Sequence, residues 1–234
     1  CLELWNDPNS KRLVSSLAII SDTNCWLLDI TPDFRYQLNM IETELNAKPN
    51  LSGIFITHAH IGHYLGLLQL GLEVMNIHQV PVYVMPKMKS FLENNAPFSQ
   101  LVTKNNIILK NIEEDIAVNL NDHLNIVSFQ VPHRNEFSET VGFKINSSHK
   151  SLVYISDIDS WNKWDKDINK LIQNNDILLL DGTFYNDVEL LGRNMQAVPH
   201  PFIKDSLQKI SLLEKEDRKK VYFTHLNHTN PAIK

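Results

Sequence analysis

The stretch GIFITHAHIGH, residues 53–63, decides how the chain is read. Its first half, Gly53 to Thr57, is a short apolar run with β-branched residues, the pattern of a buried strand. That strand runs straight into His58, His60 and His63. In extended backbone, residues two apart point to the same side, so His58 and His60 are able to meet one metal ion. His63 stands at the start of the next helix and projects to a neighbouring point. Neutral imidazoles suit zinc, iron or nickel. Histidines so closely spaced at the C-terminal end of a strand point to metal binding rather than to core packing.

Working outward, strand-like and helix-like segments alternate. Residues 12–20 and 25–30 read as a hairpin about the polar turn SDTN. Pro32 and Asp33 open a helix to about Leu45, with Phe34, Leu38, Ile41 and Leu45 spaced at three and four. The spacing of Leu65, Leu68 and Leu72 predicts a helix over 64–74. Strands are expected at 82–84 and 106–109, with a proline-started helix over 87–94 between them. Strands at 124–131, 141–145 and 151–156 form a meander. Helices over 165–173 and 201–213 and strands at 177–180 and 221–224 complete the pattern, which implies sheets with helices packed outside. With no repeat, linker or low-complexity tract, residues 1–234 read as a single domain.

Strand ends carry the other chemistry. His133 follows the strand NIVSFQV, Asp157 ends SLVYIS, His225 ends VYFT and Asp29 ends CWLLD. Strand C-termini gather on one rim of a sheet, so the spacing predicts that these groups join the histidine cluster. Asp181, after ILLL, is placed to orient a ligand histidine. His200 and His228 stand as proton donors or substrate contacts, and Arg134, Glu136 and Asp159 flank the ligands. His78, His123 and His149 lie in polar loops and read as solvated.

Composition bounds the class. A chain of 234 residues, 43% hydrophobic and 21% charged, has globular proportions, which excludes wholesale disorder. The net charge of -5 disfavours a nucleic-acid binder, whose footprint is a basic face. No apolar run approaches the ~18–20 residues of a membrane span. Cys1 and Cys25 are too few for a disulfide framework or a CxxC zinc site. Cys1 at the first position fits either a lipid-anchored mature form or a fragment boundary. The apolar Leu2, Leu4 and Trp5 that follow favour the fragment.

The histidine cluster followed in order by His133, Asp157 and His225 resembles the metallo-β-lactamase superfamily. The blocks VPVYVMPKMKSFLENNAPFSQLV (80–102), VPHRNEFSETVGFKI (131–145), YISDIDSWNKW (154–164), DGTFYNDVEL (181–190) and HLNHTNP (225–231) are similar to the branch typified by the coenzyme PQQ synthesis protein B. The resemblance covers nearly the whole chain. It implies an α/β fold, an αββα sandwich of two mixed sheets with helices on the outer faces, here truncated at both ends. It also implies that His58, His60 and His133 hold a first metal ion. Asp157 would bridge to a second position completed by His63 and His225, with Asp29 supporting the metal loop without ligating.

The chain departs from the pattern in places. Gly62 stands where the superfamily usually has aspartate, which leaves His63, Asp157 and His225 as a two-histidine, one-carboxylate set. Such a set suits non-haem iron(II) oxygen chemistry and also a zinc site of reduced affinity. Of the branch's N-terminal cysteine cluster only Cys1 could remain. Ala197 replaces a usual histidine, with His200 three residues later, and Asn227-His228 replaces a usual asparagine pair. These differences mark a side branch.

The expected function is that of a metal-dependent enzyme with one or two divalent ions, zinc or iron, acting on a small molecule. A zinc hydrolase and an iron-dependent oxygenase on a phenolic or amino-acid-derived substrate are the leading alternatives, and a non-catalytic metal-binding protein is the third. The expected setting is a soluble protein of the bacterial cytoplasm or periplasm, with a homodimer left open.

Overall fold

The computed structural model describes residues 12–190, 192 and 195–233. Cys1, Leu2, Leu4 and Trp5, on which the lipid-anchor and fragment readings turn, lie outside the described residues. Contacts divide the chain into two compact units. One comprises Leu13–Glu113 with Asn135–Glu139, and the other holds Glu114–Arg134 and the chain from Thr140 onward.

The first unit is built on a five-stranded sheet in the order β1-β2-β3-β4-β5. Its strands are β1 (Leu17–Ser21), β2 (Asn24–Leu28), β3 (Asn50–Phe55), β4 (Val80–Val84) and β5 (Ile107–Asn111). The β1–β2 hairpin is antiparallel, and β2 through β5 run parallel. Parallel strands are covered on both faces. Cys25, Leu27, Ile54, Val82 and Val84 accordingly join one buried cluster with Phe34 from helix α1 (Phe34–Leu45). Each such side chain contributes about 1.5–3 kcal/mol of hydrophobic stabilisation.

The helix predicted over 64–74 is different. One α-turn, α2 (Ile61–Tyr64), passes into a 3-10 segment, Leu65–Leu70. Side chains three apart eclipse in a 3-10 helix. Leu67 and Leu70 therefore fill the core, while Leu72, expected on the buried side, is 61% exposed. Gly66 is the reason for the tight approach, since a Cβ there would lie 2.3 Å from the Thr31 carbonyl oxygen. Helix α3 (Pro86–Asn94) matches expectation, and α4 (Phe98–Thr103) was not foreseen.

The second unit carries a six-stranded sheet in the order β11-β10-β9-β8-β7-β6. These strands are β6 (Ala117–Asn119), β7 (Asn125–Gln130), β8 (Val141–Asn146), β9 (Ser151–Tyr154), β10 (Ile177–Asp181) and β11 (Val221–Thr224). Strands β6 to β9 form an antiparallel meander, and β9, β10 and β11 run parallel. Two antiparallel steps make β7 parallel to β9, so the C-terminal ends of β7, β9, β10 and β11 share one rim. Helices α5 (Ile168–Gln173) and α6 (Ile203–Ile210) are shorter than predicted, and α7 (Lys215–Arg218) is a single turn. Ile168, Ile172 and Ile210 pack with Val153, Leu178 and Leu180 in a second core. No helix among the described residues is long and apolar enough to cross a membrane.

Candidate metal centre

In the first unit the parallel pairing of β2 and β3 places Asp29, just beyond β2, beside Thr57, just beyond β3. Asp29 is fully buried and adopts a left-handed backbone with φ of 65°. A non-glycine residue costs roughly 1–2 kcal/mol there, a strain typical of functional positions. Its carboxylate Oδ1 accepts the Thr57 backbone N–H at 2.8 Å and the Thr57 hydroxyl at 2.9 Å. Its Oδ2 lies 2.7 Å from His63 Nδ1.

A carboxylate only accepts, so this geometry assigns the histidine protons. His63 carries its proton on Nδ1 and presents a lone pair at Nε2. The Thr57 hydroxyl gives its hydrogen to Asp29 and therefore accepts from His58 Nδ1, 2.9 Å away. His58 likewise presents Nε2, which faces His60 Nδ1 at 2.7 Å. His60 Nε2 lies 3.4 Å from the Glu136 carboxylate. At 2.7 Å the two facing nitrogens of His58 and His60 share a proton, which a metal ion would displace to take both lone pairs. The loop itself is tied down: Ala59 N–H donates to Ser138 Oγ at 2.8 Å, and Ile30 N–H donates to the His63 carbonyl at 2.9 Å.

The second unit repeats the device. Asp181, at the end of β10, is fully buried. Its Oδ1 accepts the Thr183 N–H at 2.9 Å and the Thr183 hydroxyl at 2.7 Å. Its Oδ2 accepts the Ile158 N–H at 3.0 Å and lies 2.7 Å from His200 Nδ1. The Thr183 hydroxyl accepts in turn from His225 Nδ1 at 2.9 Å. His225 shares the left-handed backbone of Asp29, with φ of 57°. In each unit, then, one strand-end aspartate orients one histidine directly and a second through a threonine. Asp159 does the same for His133, its Oδ1 lying 3.1 Å from His133 Nδ1.

These protons on Nδ1 leave a lone pair at Nε2 of His133, His200 and His225, the atom by which each could hold a metal ion. Asp157 is buried, and its two oxygens face different partners: Oδ1 is 3.9 Å from His133 Nε2, and Oδ2 is 3.7 Å from His225 Nε2. Those separations exceed a hydrogen bond. They suit pairs of donors each ~2.0–2.2 Å from a common ion. Donor atoms of His133, Asp157 and His200 all lie within 4.8 Å of one another. Burial pulls the His200 imidazole down, but the Asp181 carboxylate, by charge and hydrogen bond, and Asp157 outweigh that and hold its pKa above the ordinary histidine value.

Within the first unit, His58, His60, His63 and Asp29 come together. Within the second, His133, Asp157, His200, His225 and Asp181 do so. His228 is exposed in the turn after β11 and makes no hydrogen bond among the described residues. His78, His123 and His149 are exposed, as expected. Sequence reasoning missed the threonines. The Thr-His step at 57–58 and the Asp-Gly-Thr step at 181–183 were the available signals.

A family model described as a beta-lactamase superfamily domain matches residues 25–226. Coenzyme PQQ synthesis protein B of Rhodopseudomonas palustris (strain TIE-1) is 23% identical over 268 residues, with 100% of this chain and 84% of that protein covered. Among solved structures, Zn(2+)-bound PqqB from Methylobacterium extorquens aligns with a TM-score of 0.80 at 21% identity, covering 100% of this chain and 84% of that one. A diphosphatase of the PhnP family aligns with a TM-score of 0.68 at 24% identity, covering 96% and 78%. These likenesses establish the metallo-β-lactamase-like α/β fold of two mixed sheets with helices. The family match spans most of the sequence, and the chain belongs to the metallo-β-lactamase superfamily.

Proposed function

We propose that this chain is a metal-dependent hydrolase acting on a small molecule, with His58, His60, His63, His133, Asp157 and His225 holding one or two divalent ions. The observation that carries the reading is Asp157, whose two oxygens face two different Nε2 atoms at 3.9 and 3.7 Å, the stance of a bridging carboxylate. A divalent ion bound by such donors brings the pKa of its water towards ~7 and polarises an ester, amide or phosphodiester oxygen. The protein's own part is orientation. Asp29 and Asp181 hold the histidine tautomers, and their loss would misdirect ligands without removing them. His200, hydrogen-bonded to Asp181 through Nδ1, passes a proton from Nε2 to a leaving group in its imidazolium form, which the Asp181 carboxylate favours. His228, on its exposed turn, is the alternative donor. The zinc in the solved PqqB structure and the hydrolytic activity named for the PhnP-family structure favour this reading.

A second reading is favoured by Gly62. Without a carboxylate at that position, His63, Asp157 and His225 make a two-histidine, one-carboxylate set, which suits iron(II) and oxygen chemistry. The curated relative's name places that protein in the synthesis of coenzyme PQQ. The test is metal analysis of protein purified with and without oxygen, followed by assays of phosphodiester and lactone cleavage and of oxygen uptake. Zinc retained under both conditions, with turnover of a hydrolysable substrate, supports the hydrolase. Iron retained anaerobically, with oxygen uptake, supports the oxygenase. Protein that binds neither metal refutes both, and tight metal binding without turnover leaves a metal-binding protein.

A further inference from the structure

The second unit holds a cavity of about 330 Å³ between the loop after β9 and helix α6, with His200 in its wall. The volume is near the lower end of the ~300–1,000 Å³ range of small-molecule sites, which suits an amino-acid-sized ligand rather than a polymer. One side is apolar and firmly held. Trp161 is 8% exposed and its indole N–H donates to Ser206 Oγ at 2.9 Å, with Phe202 beside it in the lining.

The charges around this cavity are not equivalent. Asp159 is already engaged: Oδ1 receives the His133 Nδ1 proton at 3.1 Å, and Oδ2 receives the Lys163 ammonium at 3.2 Å. Asp205 is exposed to water, which screens it. Lys209 is half-buried, and its ammonium donates to the neutral Asn162 Oδ1 at 3.0 Å. Among the described residues it forms no ion pair. A partly desolvated cation held by a neutral amide is primed for an anion from outside the chain.

We infer that this cavity is a binding subsite for a small carboxylate. The ligand's apolar body lies against Trp161 and Phe202, its carboxylate pairs with Lys209, and its reactive end lies beside His200. Only the last clause rests on the proposed metal-dependent activity, because the cavity and its cation are independent of bound metal.

The test uses phenylacetate, phenylacetamide and phenethylamine as probes of matched body and different charge, titrated into the full chain by NMR. Phenylacetate is expected to shift the Trp161 indole and Asn162 side-chain signals and to bind more tightly than the amide or the amine. Lys209→Ala should weaken phenylacetate at least about tenfold, and Lys209→Arg should retain most of the affinity. Metal content, measured on each variant, should stay at the wild-type value. Phenethylamine binding best would overturn the inference in favour of Asp205. Phenylacetate binding unchanged in Lys209→Ala would also overturn it, since the carboxylate would then be held elsewhere, on the metal ligands for example. If the wild type holds no metal yet phenylacetate still requires Lys209, the subsite stands and the hydrolase proposal falls.

Discussion

Asp29→Asn is the sharpest probe of the orienting aspartates, because the structure dictates which way the new amide must face. Oδ1 accepts two hydrogen bonds from Thr57, at 2.8 and 2.9 Å, so an oxygen has to remain there. The amide nitrogen then takes the Oδ2 position, 2.7 Å from His63 Nδ1. Its N–H donates to that ring nitrogen, the histidine proton moves to Nε2, and the ligand lone pair is lost. One charge-assisted hydrogen bond of about 1.5–3 kcal/mol is exchanged for a neutral one of about 0.5–1.5, a net loss of about 1–2 kcal/mol. For a chain of this size that lowers Tm by roughly 2–8 °C. Metal affinity, which senses the tautomer, should fall by about 10–100-fold. Zinc competition against a chromophoric chelator and nitrogen-15 NMR of the histidine rings measure the two effects separately. A variant with lowered Tm but unchanged affinity and an unchanged His63 tautomer would refute the reasoning and reduce Asp29 to a buttress of the loop.

Three other outcomes are expected. Gly62 has no positive φ, and a Cβ would meet Val14 at an ordinary 3.6 Å, so Gly62→Asp should fold; after chelator dialysis it should retain a second metal equivalent that the wild type loses, and equal occupancy in the two proteins would show that the position lacks nothing. In metal-free protein the raised His200 pKa means that the folded state holds the proton more tightly than the unfolded chain. Its contribution to stability is full below the ordinary histidine pKa and is lost as pH rises through the higher folded value, so denaturant midpoints should fall across that window in the wild type and less in His200→Gln. The Cys25 thiol is buried and its pKa is pushed up to about 11, so mass-mapped alkylation at pH 8 should spare it until the first unit unfolds; rapid labelling of the native protein would contradict its packing.

Much of this was legible in the chain because it is local. Alternation and length located nearly all the strands, and histidines just past strand ends were enough to name candidate ligands, since strand direction alone sends those ends to a rim. The 64–74 segment shows where periodicity stops being sufficient. Leu65, Leu68 and Leu72 fit an α-helix, yet the close approach of Gly66 to Thr31 tightens the backbone to 3-10 and turns Leu67 and Leu70 inward instead. The orienting network lay further from reach. Asp29 and Thr57 are 28 residues apart and meet only because β2 pairs with β3 in a register that sets Leu28 opposite Phe55. His225 reaches Thr183, 42 residues away, because β10 pairs with β11 and Asp181 lies opposite Thr224. Which donor atoms exist and at which strand ends they fall can be read along the chain, for these follow from residue type and backbone period. Which nitrogen of each histidine carries the proton was left to the folded chain, because a tautomer is chosen by its hydrogen-bond partner, and apart from Thr57 beside His58 those partners come from distant parts of the sequence.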